Sequence, residues 1–249
     1  MKYILTIWSL ATFLFISCET KEPMPDNADK QEGFATGKVV DTNGTPLKGI
    51  RVIVRNTMIY ATYVIGVTDD NGNYKVELPT FGTFMASAQI VRNYNGKEYT
   101  LDLDPDVYEE FSVNGAVRNF TWKITGRRPV EAQGFYGSTI EINKDVMSAV
   151  YDSENIEFNL VPVGKLIDGS EGKTLQLKHG EAYSETYGKL VDVPLGRYTV
   201  TAMYDGETGR FPLKLRKHFS KDAYADSMTL DFENETMWGN NIAFLSYKE

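Results

Sequence analysis

Residues 37–88 read GKVVDTNGTPLKGIRVIVRNTMIYATYVIGVTDDNGNYKVELPTFGTFMASA, and the fold class is decided here. Tyr74, Val76 and Leu78 alternate with Asn73, Lys75 and Glu77. One face of that run is apolar and the other polar, as a half-buried strand requires. Asn71-Gly72 stands just before it, and Asn43-Gly44 stands between Val39-Val40 and the run Ile50 to Val54. Such a dipeptide accepts positive φ at both central positions of a type I′ turn, whose twist matches two paired strands. Each is therefore expected to close a hairpin.

The same stretch resembles the carboxypeptidase regulatory-like, transthyretin-related sandwich domain. The residues that carry the likeness are Gly37, Val39, Asp41, Gly44, Pro46, Leu47, Gly49 and Val52, then Gly66, Thr68, Asp69, Gly72 and Tyr74, then Pro79, Gly82 and Phe84. They are turn and core positions, so the resemblance implies a sandwich and no activity.

Upstream, Met1-Lys2 precedes a mostly apolar run from Ile4 to Phe15. A bilayer needs about 20 apolar residues, and this run has the length of a signal-peptide core. It ends in Phe15-Ile16-Ser17-Cys18, which resembles a bacterial lipobox with cleavage before Cys18 and diacylglycerol on its sulfur. Cys18 is the single cysteine, which excludes an intramolecular disulfide framework. Glu19 to Glu32 is polar with two prolines, the composition of a tether. Lys21-Glu22 resembles an incomplete version of the surface-export signal of Bacteroidetes lipoproteins. The expected layout is a signal peptide over 1–17, lipidated cysteine and tether over 18–34, a regulatory-like sandwich over 35–126 and a second sandwich over 127–249. The expected address is the outer membrane, lipid-anchored and facing outward.

The chain has 249 residues, 42% hydrophobic, and 26 Lys plus Arg against 34 Asp plus Glu give a net charge of −8. An acidic chain does not suit nucleic acid, which wants a basic surface. After Gly126-Arg127-Arg128-Pro129 breaks the pattern, short β-branched and aromatic runs recur between turns. Ile140–Ile142, Ile156–Val163, Leu175–Leu177, Leu190–Val193, Arg197–Tyr204, Phe211–Leu215, Met228–Phe232 and Ile242–Tyr247 are the strand candidates. The expectation is all-β, two sandwiches in tandem, the second immunoglobulin-like or related.

Chemistry is sparse. His179 and His218 are the two histidines, no HExxH or G-x-S-x-G is present, and neither GxGxxG nor a P-loop appears. No cofactor and no enzyme activity are expected. Asp102, Asp104 and Asp106 alternate in LDLDPDVYEEF, but Val107 and Val113 stand where a calcium loop of the EF-hand type needs glycine and glutamate, so a solvated acidic loop is the first reading and a cation site the second. Sugar sites combine aromatic faces with amides and carboxylates, because a sugar ring has an apolar face and a rim of hydroxyls. Trp238, Asn240 and Asn241 in MWGNN form the first such cluster, with Tyr183 and Tyr187 in HGEAYSETYG the second. Trp238 is either an exposed platform or a plug at the end of the sandwich. Asp226-Ser227-Met228 resembles the O-glycosylation signal of exported Bacteroidetes proteins, with Ser227 as the acceptor.

Taken together, lipobox, tether and two sandwiches resemble uncharacterised Bacteroidetes lipoproteins of the kind found beside SusC/SusD-type glycan import systems. The resemblance implies a non-catalytic surface lipoprotein that binds polysaccharide or assists such a transporter. The alternative is a structural or adhesive spacer that binds a protein partner.

Overall fold

Alternating burial along short strands organises the chain into sheets that pack face to face. The structure, a computed structural model, describes residues 30–249; the signal segment, Cys18 and most of the tether lie outside the described residues. The chain is all-β, built as two β-sandwich domains in tandem. No helix among the described residues is long and apolar enough to cross a membrane.

The first sandwich contains β1 (Phe34–Asp41), β2 (Arg51–Asn56), β3 (Tyr63–Val67), β4 (Asn73–Glu77), β5 (Thr83–Tyr94), β6 (Lys97–Asp102), β7 (Asp104–Pro105), β8 (Phe111–Ser112), β9 (Ala116–Val117) and β10 (Phe120–Trp122). One sheet runs β4-β1-β10-β7 with β9 also on β1, and the other runs β3-β2-β5-β6 with β8 on β5. Val39, Tyr74, Val76, Phe120 and Trp122 from the first meet Val52, Val54, Phe84 and Ile90 from the second, all buried. Each such apolar side chain contributes about 1.5–3 kcal/mol on removal from water.

The two Asn-Gly turns differ from expectation. Positive φ falls on Gly44 and Gly72 alone, so neither turn is type I′. The cause is the aspartate two residues earlier. Asp41 Oδ1 accepts from the Asn43 and Thr45 backbone N–H groups, each at 2.8 Å, and Asp69 Oδ1 does the same for Asn71 and Asn73. An aspartate that caps its own turn in this way competes with the primed geometry. The first turn does fold the chain back on itself, with Val40 bridging Pro46 antiparallel, but the second closes no hairpin: β3 pairs with β2 and β4 with β1, so it carries the chain from one layer to the other.

The second sandwich contains β11 (Ser138–Lys144), β12 (Ile156–Pro162), β13 (Leu175–Leu177), β14 (Lys189–Val193), β15 (Tyr198–Gly206), β16 (Gly209–Lys217), β17 (Met228–Leu230) and β18 (Ile242–Lys248). Every strand expected after Pro129 is present, within one to two residues at its ends. They form one continuous sheet, β13-β12-β15-β16-β18-β11-β14, with β17 on β15. It folds over at β16, whose residues up to Leu213 pair with β15 and whose residues from Lys214 pair with β18. Pro212 falls in the first part, where its missing N–H costs nothing on the unpaired side. Ile140, Phe158, Val200, Leu213 and Leu245 fill the interior. A short 3₁₀ turn spans Ser153–Asn155, just before β12.

The halves are joined by specific bonds. The Tyr94 hydroxyl donates to the Lys165 carbonyl at 2.8 Å and accepts from the Arg197 N–H at 3.1 Å. Lys97 Nζ reaches Glu233 at 2.6 Å. At the connection, the Asp192 carboxylate accepts from the Gly126 and Gly137 backbone N–H groups.

Candidate functional site

Thr236 and Gly239 bridge each other across a two-residue turn, and the Thr236 hydroxyl donates to the Gly239 carbonyl while accepting from the Trp238 N–H. That closure puts Met237 and Trp238 at the tip. Trp238 is 59% exposed and is no plug in the sandwich. One face of its indole lies against Phe219, with centroids 5.7 Å apart and planes 12° apart, and its edge meets Phe244 at 5.4 Å. Beneath Phe219 sits His218, whose Nδ1 is 2.6 Å from Ser246 Oγ. Burial, with Arg216 adding to it, pulls the His218 imidazole below its ordinary value. It is uncharged at neutral pH, so the aromatic ridge rests on an uncharged base.

Trp238 borders a groove. Its wider part, about 380 Å³, lies between the two sandwiches and is lined by Gln89, Asp102, Arg128, Tyr136, Asn240 and Asn241 among others. Its narrower part, about 240 Å³, runs past Trp238 to Glu141, Glu185 and Lys189. Phe135, Gly137, Thr139 and Ile242 line both parts, so the two adjoin.

The polar groups in it are held in place. Arg128 pairs with Asp102 at 2.9 Å, and Gln89 Nε2 donates to the same carboxylate at 3.0 Å. Burial, then a hydrogen bond to the Asp104 carboxylate, pushes the Tyr136 phenol far up, which keeps it protonated. Asn241 has positive φ and its Nδ2 donates to the Thr100 carbonyl at 3.2 Å, which anchors the turn to the first sandwich. Fixed amides and a guanidinium in the wider part can hold hydroxyl groups, and the exposed indole beside the narrower part can hold an apolar ring face.

Trp238, Asn240 and Asn241 share one turn, but Asn240 and Asn241 line the wider part and Trp238 the narrower. Tyr183 and Tyr187 do not join them: Tyr183 is fully exposed on a loop and Tyr187 stands edge-on to His179 at 5.1 Å, both outside the groove lining. His179 is buried, with Nε2 2.8 Å from Ser153 Oγ and Nδ1 2.6 Å from the Gly180 carbonyl, a satisfied interior histidine away from the groove. Ser227 is exposed just before β17. Asp102, Asp104 and Asp106 have separate partners: Arg128, Lys123 at 2.6 Å, and the Asn119 amide at 2.8 Å. No group of three metal-ligating side chains occurs among the described residues. Phe219, Phe135 and Gln89 were not legible as site residues. An aromatic inside the polar segment RKHFSKD was the one available signal, for Phe219.

No protein-family model matches the chain, and no curated protein matches it in sequence. Solved structures overlap it weakly. The Bacillus anthracis TIE protein is 15% identical with a TM-score of 0.33, over 87% of this chain and 34% of that one. The open form of the pilus adhesin SpaC from Lactobacillus rhamnosus GG is 9% identical at 0.27, over 86% and 28%. The major pilin subunit of Bacillus cereus is 11% identical at 0.24, over 87% and 99%. The chain thus spans about a third or less of the first two, and at such scores its fold rests on its own strand pairing.

Proposed function

We propose that this is a non-catalytic, lipid-anchored surface protein that binds polysaccharide in the groove between its two sandwiches. The observation that carries the reading is Trp238, exposed at a turn tip on the narrower part of the groove beside Glu141 and Lys189, next to a wider part walled by amides, Arg128 and Tyr136. A sugar ring stacks on an indole through its C–H face and presents its hydroxyls to such groups. Two features of the sequence support the anchoring half: the lipobox at Cys18 and the polar segment after it. In this reading the protein assists a SusC/SusD-type glycan importer at the outer membrane.

The test is affinity gel retardation of the chain from Glu19 onward by a panel of soluble polysaccharides, with Trp238→Ala alongside. Retardation that disappears in the variant is the expected result. No retardation by any member of the panel overturns direct glycan binding.

A second reading, an adhesive or spacer module holding a protein partner, is favoured by one observation, the bare apolar edge at β3. Tyr63, Ile65 and Val67 are all exposed there.

A further inference from the structure

The sheet β3-β2-β5-β6 has two edges, and they are treated differently. At β6 the second sandwich covers the edge: the Thr100 carbonyl accepts from Asn241 and Lys97 reaches Glu233. At β3 nothing pairs beyond the strand. Hydrogen-bond parity shows what that edge offers. The Asn56 N–H donates to the Thr62 carbonyl and the Thr68 N–H to the Ile50 carbonyl, so the even-numbered residues of β3 face β2. In an antiparallel ladder the alternate residues point the other way, so Tyr63, Ile65 and Val67 turn their N–H and C=O groups to the free side.

The same three residues carry side chains 53%, 45% and 63% exposed. Ordinary protection of an edge is by charge, proline, shortness or a bulge. The other edges have these: Asn73, Lys75 and Glu77 on β4, two residues including Pro105 in β7, three in β13, and a register shift where β14 meets β11. β3 has none of them. Its neighbouring loop is also pre-set, because Asn56 Oδ1 accepts from the Met58 and Ile59 N–H groups and so holds exposed Met58, Ile59 and Tyr60 beside the strand.

Charge selects the occupant. On the outer face Arg55 pairs laterally with Tyr63 and Arg51 with Val67. Both arginines are exposed, and neither has an ion-pair partner among the described residues, in a chain whose net charge is −8. A second copy paired through β3 adds two more arginines to this face and no carboxylate. An acidic strand answers them.

We infer that the free edge of β3 takes an added strand from a protein partner. The segment is extended, with an apolar residue opposite Ile65 and acidic residues two positions to either side. Strands lie about 4.8 Å apart, so those carboxylates stand roughly 10 Å of backbone spacing from Arg55 and Arg51, within reach of two long side chains. Their methylenes cover Tyr63 and Val67. The inference deepens the adhesive reading and is independent of the glycan one.

The experiment uses the purified isotope-labelled protein and the peptide acetyl-Thr-Glu-Thr-Val-Thr-Glu-Thr-amide, with a lysine-for-glutamate peptide as control, at millimolar concentration. Expected are amide shift changes at Tyr63, Ile65 and Val67 with the glutamate peptide, about tenfold weaker with the lysine one, and a reversed preference in the Arg51→Glu, Arg55→Glu double variant. No change at these amides, or equal response to both peptides, overturns the inference. Changes confined to another face remove this site and leave an adhesive role standing. A concentration-dependent dimer in sedimentation that Ile65→Lys abolishes makes a second copy the occupant and overturns the acidic strand. Polysaccharide retardation of Ile65→Lys stays as in the parent, which separates this site from the groove.

Discussion

Tyr99 belongs to the first sandwich and Phe232 to the second, yet the Tyr99 hydroxyl donates to the Phe232 carbonyl at 2.7 Å with both residues buried. Burial, followed by the nearby Asp231 and Glu233 carboxylates, pushes the Tyr99 phenol up to about 12, so it remains a donor through the neutral range. Tyr99→Phe leaves the Phe232 carbonyl with only the longer bond from Lys97 Nζ at 3.2 Å and should cost the net worth of one hydrogen bond, about 0.5–1.5 kcal/mol. Denaturant titration checks this; a midpoint equal to that of the parent contradicts it.

The neighbouring contact is sensitive to pH. Hydrogen bonds from Lys217 and then Lys97 hold the Glu233 carboxyl below its ordinary 4.5. Its folded pKa is therefore the lower one, and the unfolded chain takes up the proton first. The stabilisation is fully present above the unfolded value and is lost as pH falls through the folded one. Thermal melts of the parent and Glu233→Gln should differ at neutral pH and converge in acid. A gap that stays constant with pH refutes the assignment.

Two turn glycines differ in what surrounds them. Gly44 and Gly72 both have positive φ, but a Cβ on Gly44 meets nothing within 4 Å, whereas one on Gly72 lies 2.5 Å from the Val39 carbonyl oxygen. Gly44→Ala should cost only the left-handed penalty of about 1–2 kcal/mol. Gly72→Ala must in addition displace β1, and its loss of stability should be the larger, as read from paired melting temperatures.

Within the groove, Asn240→Ala and Arg128→Ala should weaken polysaccharide retardation, because both side chains line the walls. Tyr183→Ala should leave it unchanged, since that ring is fully exposed and outside the groove lining. Equal loss in all three variants points to general unfolding, which a melting curve identifies.

The strands were legible because their signal is local. Tyr74 and Val76 alternate with polar neighbours and are buried, and each of the eight runs after Pro129 became a strand. Partner choice was not legible. Asn71-Gly72 marks a chain reversal, but nothing local to it shows that β4 joins β1 and packs across from β3, where the missing side chain of Gly66 leaves room for Val76. The groove was legible only at the MWGNN turn. Its other walls, near Gln89 and Asp102 and near Arg128 and Phe135, come from distant stretches, and no spacing along the chain shows that a register will bring them together.

The turn at Asp69 to Asn73 also governs the order of assembly. Because it crosses between layers, the sheet containing β1 has no two sequence-adjacent strands paired with each other. Within the first sandwich, the pairs that can zip from a local reversal, β2 with β3 and β5 with β6, both lie in the opposite layer. Closing a long loop before any contact is gained is slow, so local pairs have the kinetic advantage. Within the first sandwich the layer bearing the bare edge thus has the kinetic advantage, and Tyr63, Ile65 and Val67 are exposed on it whether or not the facing wall has formed.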